Sequence, residues 1–191
     1  MKSTKNIYLI LGHTTLDSFN GKLADEYEKK LRQLNKNVRR INLNQNDFDV
    51  CLLKDSQSEK NKQFILKEQE NIKWADEIVF FYPLWWASVP AILKGYIDNV
   101  FQSGFAFKYH ENDPFWDKLL TGKKVRVFST SGAPSIFIKL LYKNADFSMF
   151  RTGVCWFTGM KLIQAKRIGS LVKMDSAKRK EVIDKIISKI R

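Results

Sequence analysis

The chain has 191 residues, 44% of them hydrophobic, and carries 33 Lys and Arg against 20 Asp and Glu, which gives a formal charge of +13. This length and apolar content exclude a disordered chain and predict one domain, over residues 1–191, with a substantial core. The longest wholly apolar stretch near the N-terminus, residues 7–11, is too short for a signal peptide or a membrane span. We therefore expect a soluble cytoplasmic protein without stable membrane insertion.

Short apolar runs alternate along the chain with longer stretches of helical period. This alternation is typical of βαβ units and a parallel sheet. The short runs predict five strands, over residues 6–11, 38–43, 77–82, 124–130 and 160–168. The longer stretches predict helices over residues 20–34, 59–74, 90–101 and 137–142, and a last helix that Asp175 or Ser176 caps. A long polar connection, residues 44–56, lies between the second strand and the second helix.

The cysteines and the basic residues limit the possible partners. Cys51 and Cys155 have no CxxC spacing and no nearby histidine, so neither a metal site nor a disulfide framework is predicted. A strongly basic protein suits nucleic acid, an anionic membrane surface or an anionic ligand. No basic stripe with interleaved aromatic residues favours nucleic acid. More than half of the excess positive charge lies in residues 161–191, mostly off the isoleucine-rich face of the last helix, which indicates a solvated surface.

The loop after the first strand, residues 12–20, is polar and leads directly into a helix. Open parallel sheets bind ligands beyond the carboxyl ends of their strands, so this loop is a candidate site. A helix N-terminus attracts phosphate through its free N–H groups and its dipole, and His13, Ser18 and Asn20 could hold a phosphate or pyrophosphate. The alternative is an ordinary helix cap formed by Ser18 or Asn20. Neither a GxGxxG fingerprint nor a P-loop motif occurs.

The loop after the third strand, residues 82–90, contains two adjacent tryptophans, Trp85 and Trp86. Neighbouring side chains face different ways, so both cannot point into one core, and at least one is expected on the surface. There it could stack on a planar heteroaromatic ring. The alternative is that the tryptophan anchors an interface or the core.

Four segments carry a resemblance to a known family. They are residues 13–20 (HTTLDSFN), 83–101 (PLWWASVPAILKGYIDNVF), 104–107 (GFAF) and 130–133 (TSGA). These segments resemble the flavodoxin-like NAD(P)H:quinone reductase family, which includes the modulator-of-drug-activity type, and the resemblance extends over essentially the whole chain. It implies an α/β fold, a flavodoxin-like three-layer αβα sandwich around a five-stranded parallel sheet in the order 2-1-3-4-5.

The resemblance also implies a flavin site made of three loops. The phosphate or pyrophosphate loop comprises His13, Ser18, Phe19 and Asn20. The loop lining the isoalloxazine ring comprises Pro83, Leu84, Trp85, Trp86 and Ala87, and the loop at the other edge of the ring comprises Thr130, Ser131, Gly132 and Ala133. A substrate slot beside the ring is expected to be walled by Trp86, Phe105, Phe107 and Tyr142. Some family members have a Tyr and a His shortly after the third loop, but residues 135–144 contain no histidine, so no catalytic residue is assigned.

The implied activity is two-electron reduction of quinones or related acceptors by NADH or NADPH, with hydride transfer through flavin N5 and ping-pong kinetics, in a homodimer. His13 and Asn20 resemble the FAD-binding members of the family, which implies FAD as the cofactor, with FMN as the alternative. A different function is that of an ancillary flavoprotein that docks on a membrane transporter of the potassium efflux type, since a basic surface suits peripheral contact with a membrane.

Overall fold

The structure is a computed structural model that describes residues 5–51 and 58–190. Its strands are β1 (Asn6–Leu11), β2 (Asn37–Asn42), β3 (Glu77–Pro83), β4 (Phe107–Tyr109), β5 (Trp116–Lys118), β6 (Lys124–Thr130) and β7 (Lys161–Ile168). Its helices are α1 (Phe19–Gln33), α2 (Glu59–Trp74), α3 (Ala91–Val100), α4 (Ser135–Tyr142), α5 (Ala145–Ser148) and α6 (Ser176–Ile187). A π-helical segment (Met149–Trp156) continues α5, and 3-10 turns lie at Leu43–Gln45 and Leu171–Lys173.

Five of the strands form one parallel sheet in the order β2-β1-β3-β6-β7. This is the predicted order 2-1-3-4-5 for the main sheet, which is confirmed. Parallel neighbours need long crossover connections, and helices provide them here. Because all five strands run the same way, their carboxyl ends meet at one edge of the sheet.

The sheet separates two hydrophobic cores, as the side chains of the central strand β3 show. Ile78, Phe80 and Tyr82 face the core shared with α2, α3 and α5, whereas Val79 and Phe81 face the core shared with α1 and α6. All five are buried, as expected for a strand covered on both faces. The prediction of a three-layer αβα sandwich is therefore confirmed.

Polar side chains begin three of the helices. Ser18 Oγ accepts the Gly21 N–H at 3.0 Å, and the side chains of Ser58 and Asp175 accept the N–H of Asn61 and Lys178 in the same way. A cap of this kind contributes about 1 kcal/mol to a helix. Ser18 rather than Asn20 therefore caps α1, and Asp175 rather than Ser176 caps α6.

Two regions have structure that the sequence patterns did not predict. One is the antiparallel hairpin β4–β5, and the other is α5 with its π-helical continuation. Strands of three residues are too short to show alternation, and a π-helix does not follow the period of 3.6 residues. The polar connection predicted over residues 44–56 begins with the turn at Leu43–Gln45, and its residues 52–56 lie outside the described parts of the chain.

The surface agrees with the predicted distribution of charge. The basic residues of the last helix are exposed, among them Lys178, Arg179, Lys180 and Lys185. Across residues 5–51 and 58–190, no helix combines the length and the apolar character needed to cross a membrane.

The hairpin β4–β5 contains a histidine held between two carboxylates. His110 Nδ1 lies 2.9 Å from Asp113 Oδ1, and Nε2 lies 3.3 Å from Asp117 Oδ1. These hydrogen bonds, first to Asp113 and then to Asp117, raise the pKa of His110. A histidine whose pKa is higher in the folded than in the unfolded state stabilises the fold fully below its ordinary pKa of about 6.5, and this contribution is lost as pH rises through the folded value.

We expect the imidazoles of the two histidines to titrate on opposite sides of the ordinary value. His110 should titrate above it because of its carboxylates, and His13 below it because partial burial lowers its pKa. Proton NMR spectra recorded as a function of pH measure both midpoints, and His110→Gln removes one titration and thereby assigns the other. Coincident midpoints, or a higher midpoint for His13, would contradict this expectation.

Candidate functional site

Three loops meet at the carboxyl edge of the sheet, and Thr130 at the end of β6 joins them. The Thr130 carbonyl accepts the Leu84 N–H from the loop after β3 at 2.7 Å. Its Oγ1 accepts a hydrogen bond from Asn20 Nδ2 at the start of α1 at 2.9 Å. Thr130 is buried, so both bonds are shielded from water. The three loops named from the sequence are thus brought together by one residue.

The loop after β1 offers hydrogen-bond donors at the start of α1. Ser18 uses its side chain and its carbonyl to satisfy Gly21 and Lys22. The N–H groups of Phe19 and Asn20 have no acceptor among the described residues. Ser18 is therefore a helix cap, and the free N–H groups beside it are those that attract a phosphate.

His13 contributes a further donor to this loop. Its Nδ1 accepts the Thr15 N–H at 3.0 Å, so the proton of a neutral ring is on Nε2. Partial burial lowers the pKa of His13, which keeps the ring neutral at pH 7. The ring meets Trp85 edge-on, with 5.8 Å between the ring centroids. His13 thus presents an uncharged N–H donor beside the second loop.

Gly21 allows the first loop to fold back onto α1. A Cβ atom at this position would lie 2.0 Å from the Leu16 carbonyl oxygen, which is far inside contact distance. Any side chain at position 21 would therefore push the loop away from the start of α1.

The loop after β3 is a tight turn that presents Trp86 to solvent. Trp85 and Ser88 exchange N–H···O bonds of 3.0 and 2.9 Å across the turn. The two central residues, Trp86 and Ala87, have φ values of 50° and 58°. Such turns normally carry glycine or asparagine there, and other residues in this conformation cost on the order of 1–3 kcal/mol each. The Trp86 side chain is 100% exposed, whereas Trp85 is 41% exposed. The prediction that at least one tryptophan lies on the surface is confirmed.

The loop after β6 exposes backbone donors, whereas the carbonyls of Ser131 and Ala133 are occupied. The Ser131 carbonyl accepts the Leu171 N–H at 3.1 Å, and the Ala133 carbonyl accepts both the Ser170 N–H and Ser131 Oγ. The N–H groups of Gly132 and Ala133 have no acceptor within residues 5–51 and 58–190. This loop therefore has a net excess of donors, which suits an electron-rich or anionic group.

Asn20 carries an unsatisfied acceptor at the centre of the site. Its side chain is buried, and its Oδ1 has no hydrogen-bond partner in the described structure. A buried polar atom left in this way costs about 1–3 kcal/mol. A ligand with a suitably placed donor would remove this cost. Free donors, an exposed aromatic plane and a buried acceptor together suit a planar heteroaromatic ligand that carries phosphate.

Among the described residues, no ring-to-ring contact joins any two of the four residues expected to wall the slot. Trp86 is at the carboxyl edge, and Tyr142 ends α4, the helix that follows the third loop. Phe107 packs on Phe157, with 4.9 Å between the ring centroids, and Phe105 lies near Lys73 at the end of α2. Since α2 ends where β3 begins, Phe105 lies toward the amino edge of the sheet.

Further contributors to the site have no local sequence signal. Ser88 closes the turn that carries Trp86, and the Ile168 carbonyl at the end of β7 accepts the Ser131 N–H at 2.9 Å. Both act through backbone atoms, which any residue type can supply. Among the described residues, no group of three or more His, Cys, Asp and Glu side chains could hold a metal ion.

Two curated relatives share part of this sequence. A protein of Pongo abelii named ribosyldihydronicotinamide dehydrogenase [quinone] is 38% identical over 104 residues, which cover 52% of this chain and 44% of that protein. A Haemophilus influenzae protein named uncharacterized NAD(P)H oxidoreductase is 27% identical over 191 residues, which cover 94% of this chain and 91% of that protein. The match to several other curated relatives, like that to the Pongo abelii protein, spans less than half of their length.

Solved structures share the fold. One is an FMN-dependent NADH-azoreductase from Bacillus anthracis in complex with FMN, with a TM-score of 0.72, 18% identity, and coverage of 97% of this chain and 98% of that one. The model of a family described as having a flavodoxin-like fold matches residues 5–190. The parallel sheet, its strand order and this match together place the chain in the flavodoxin-like fold family.

Proposed function

We propose that this chain is a flavin-dependent NAD(P)H oxidoreductase that reduces quinones or related acceptors. The observation that carries the proposal is the junction at Thr130, which brings a donor-rich helix start, an exposed tryptophan turn and a donor-rich loop to one edge of the sheet. The names of the two curated relatives, one a quinone dehydrogenase and one an NAD(P)H oxidoreductase, support the activity. The FMN complex of the azoreductase supports a flavin.

The residues of the site fit a flavin. The N–H groups of Phe19 and Asn20, with the Nε2–H of His13, would hold its phosphate or pyrophosphate. The N–H groups of Gly132 and Ala133 would donate to the electron-rich edge of its ring. When bound, a flavin would accept a hydride from NAD(P)H at N5 and pass two electrons to the acceptor.

The turn after β3 would supply the surface against which the ring and the substrates lie. Pro83 and Leu84 continue β3 into the turn, and Trp86 offers an aromatic face that no residue of the described chain covers. Donor and acceptor would occupy the same slot beside Trp86 in turn, which gives ping-pong kinetics.

Within this proposal the flavin is FAD. A cavity of about 950 Å³ between α1 and α6 opens beside Ser18, and its lining includes Lys22, Arg179 and Lys180. Such a cavity has room for the adenylate half that distinguishes FAD from FMN. Its basic residues are balanced by the carboxylates of Asp17, Asp25, Glu26 and Asp184, so the size of the cavity, and not its charge, supports FAD.

The active form within this proposal is a homodimer. On α4 only Ile138 is buried, while Ile136, Phe137, Leu140 and Leu141 are all more than half exposed. An apolar helix face of this kind beside a ligand site is typical of an interface. A second copy could bring its Phe105 and Phe107 to the slot beside Trp86.

We expect the purified protein to bind FAD and to oxidise NADH or NADPH with menadione as acceptor. Absorbance bands of an oxidised flavin, and chromatography of the flavin released by heating, identify the cofactor. FMN in place of FAD would contradict the choice of cofactor alone. A protein that takes up neither flavin would overturn the proposed function.

Replacing Trp86 with alanine should weaken flavin binding or raise KM for the quinone by roughly five-fold, since about 1 kcal/mol of aromatic contact is lost. Stability should not fall, because the side chain makes no buried contact. Trp156→Ala is the control, since Trp156 is also exposed but packs on Trp116. Equal effects of the two substitutions on flavin affinity and KM would contradict a role for Trp86.

Light scattering after size exclusion should give twice the chain mass of 22.3 kDa for the unmodified protein. Leu140→Glu places a charge in the apolar face of α4 and should yield monomers. Leu66→Glu, at a 62% exposed position on α2, is the matched control and should remain dimeric. A monomeric unmodified protein, or a dimeric Leu140→Glu variant, would show that α4 is not the interface.

A further inference from the structure

A buried ion pair lies directly behind the candidate site. Arg167 Nη2 donates to Asp146 Oδ1, and the two side chains are only 4% and 0% exposed. Asp146 Oδ2 accepts the Tyr82 hydroxyl at 3.0 Å, and Arg167 Nη1 donates to Ser129 Oγ at 2.7 Å. The guanidinium also lies over the Phe147 ring, 4.4 Å from its centroid. We refer to Tyr82, Ser129, Asp146 and Arg167 as the carboxyl-edge network.

The network connects the ends of three adjacent strands to one helix. Tyr82, Ser129 and Arg167 are the penultimate residues of β3, β6 and β7, and Asp146 lies in α5. In each of these three strands, the residue that follows the network residue takes part in the candidate site. Pro83 leads into the tryptophan turn, Thr130 joins the loops, and the Ile168 carbonyl holds the Ser131 N–H.

Stability alone does not account for this arrangement. Removing an arginine and a carboxylate from water costs several kcal/mol per ion, and well-packed apolar residues are often as stable or more so. One donor, Arg167 Nε, is buried without a partner in the described structure, which adds to the cost. A buried pair of this kind is better explained by the single arrangement that it imposes.

The arrangement matters because it holds β7 in register with β6. Val125 pairs with Leu162 but Arg126 pairs with Gln164, so β7 has one extra residue in its first half. Beyond such a bulge, a slip of one residue would turn every following side chain to the other face. The bond between Arg167 and Ser129, which pair in register, opposes that slip.

We propose that Arg167 and Asp146 are positioning residues for the flavin-binding loops. They hold the ends of β3, β6 and β7 in one register, so that the turn carrying Trp86 and the donor-rich loop at Gly132 and Ala133 face the same ligand. Both residues act from behind the site, since their burial keeps them from touching a substrate. This role rests on the proposed function.

A second network at the opposite ends of the same strands provides a matched control. Arg126 Nε donates to Glu77 Oε1 at 2.6 Å, and Arg126 Nη1 donates to Gln164 Oε1 at 2.7 Å. Glu77 is buried and also pairs with Lys5. The same three strands are therefore joined by an arginine and a carboxylate at their amino ends, away from the site.

The experiment compares removal of the two ion pairs. Arg167→Met combined with Asp146→Leu removes both charges behind the site, and Arg126→Met combined with Glu77→Leu removes both at the amino ends. Thermal unfolding gives the stability of each variant without flavin, and quenching of flavin fluorescence gives its Kd. We expect the first double variant to bind flavin at least ten-fold more weakly than the unmodified protein. The second double variant, with a Tm similar to that of the first, should bind flavin within two-fold of the unmodified protein. Arg167→Lys should retain more affinity than Arg167→Met.

Hydrogen exchange in the flavin-free protein provides a readout that needs no ligand. The amides of Leu84 and Ser131 should exchange faster when the carboxyl-edge network is removed, and at the original rate when the amino-edge pair is removed. If the double variant does not fold, Tyr82→Phe and Ser129→Ala each remove one bond of the network and should each weaken flavin binding at least two-fold.

Three outcomes decide between the proposals. Flavin binding by the unmodified protein together with unchanged Kd values in the carboxyl-edge variants would overturn the positioning role and leave the proposed function standing. Equal losses of affinity from both ion pairs would also overturn it, because general destabilisation would then explain the effect. An unmodified protein that binds neither FAD nor FMN would overturn the proposed function, and the positioning role with it.

Discussion

The hydrogen bonds of Thr130 are the constraint on which the carboxyl edge of this sheet depends. A parallel sheet brings strand ends to a common edge, but it does not determine the paths of the loops that follow. Thr130 restrains these paths, because its carbonyl holds the loop after β3 and its hydroxyl holds the first turn of α1. Since the residue is buried, both bonds form in a medium where an unmade bond is costly. Displacement of either loop would leave a buried polar group unpaired.

This constraint allows the site to keep features that are unfavourable in isolation. Trp86 and Ala87 are in the left-handed conformation without being glycine, Trp86 is fully exposed, and Asn20 Oδ1 has no partner among residues 5–51 and 58–190. Each of these costs free energy in the absence of a ligand. The two buried cores must offset these costs, and a large apolar sheet covered on both faces is able to do so. Under the proposed function, the edge would be in its binding arrangement before any ligand arrives, which reduces the ordering cost of binding.

The main elements were predictable because their patterns are local. A strand buried on both faces must be apolar throughout, and Glu77 to Pro83 has only one charged residue, at its amino end. The site loops followed from the rule that parallel sheets bind ligands at their carboxyl ends, and from the resemblance of residues 83–101 to a known family.

What the sequence did not predict depends on contacts between distant residues. The hairpin strands of three residues have no period of their own, and they are stabilised by packing such as that of Trp116 on Phe157. Asp146 and Arg167 are 21 positions apart and neither stands in a recognisable motif. The separation of Phe105 from Trp86 likewise follows from the course of the chain around α3, which no local pattern encodes.

The two ion-pair networks, at opposite edges of one sheet, differ in their exposure to solvent. At the amino edge, Glu77 is paired with both Lys5 and Arg126. Because Arg126 is about one-third exposed, its contact with solvent lowers the desolvation cost of this ion pair. At the carboxyl edge, Arg167 and Asp146 are almost completely enclosed, and solvent contributes nothing. An enclosed pair has little freedom to rearrange, since any movement leaves a charge unpaired in an apolar medium. The tighter network therefore lies at the edge where the positions of the strand ends determine the geometry of the loops.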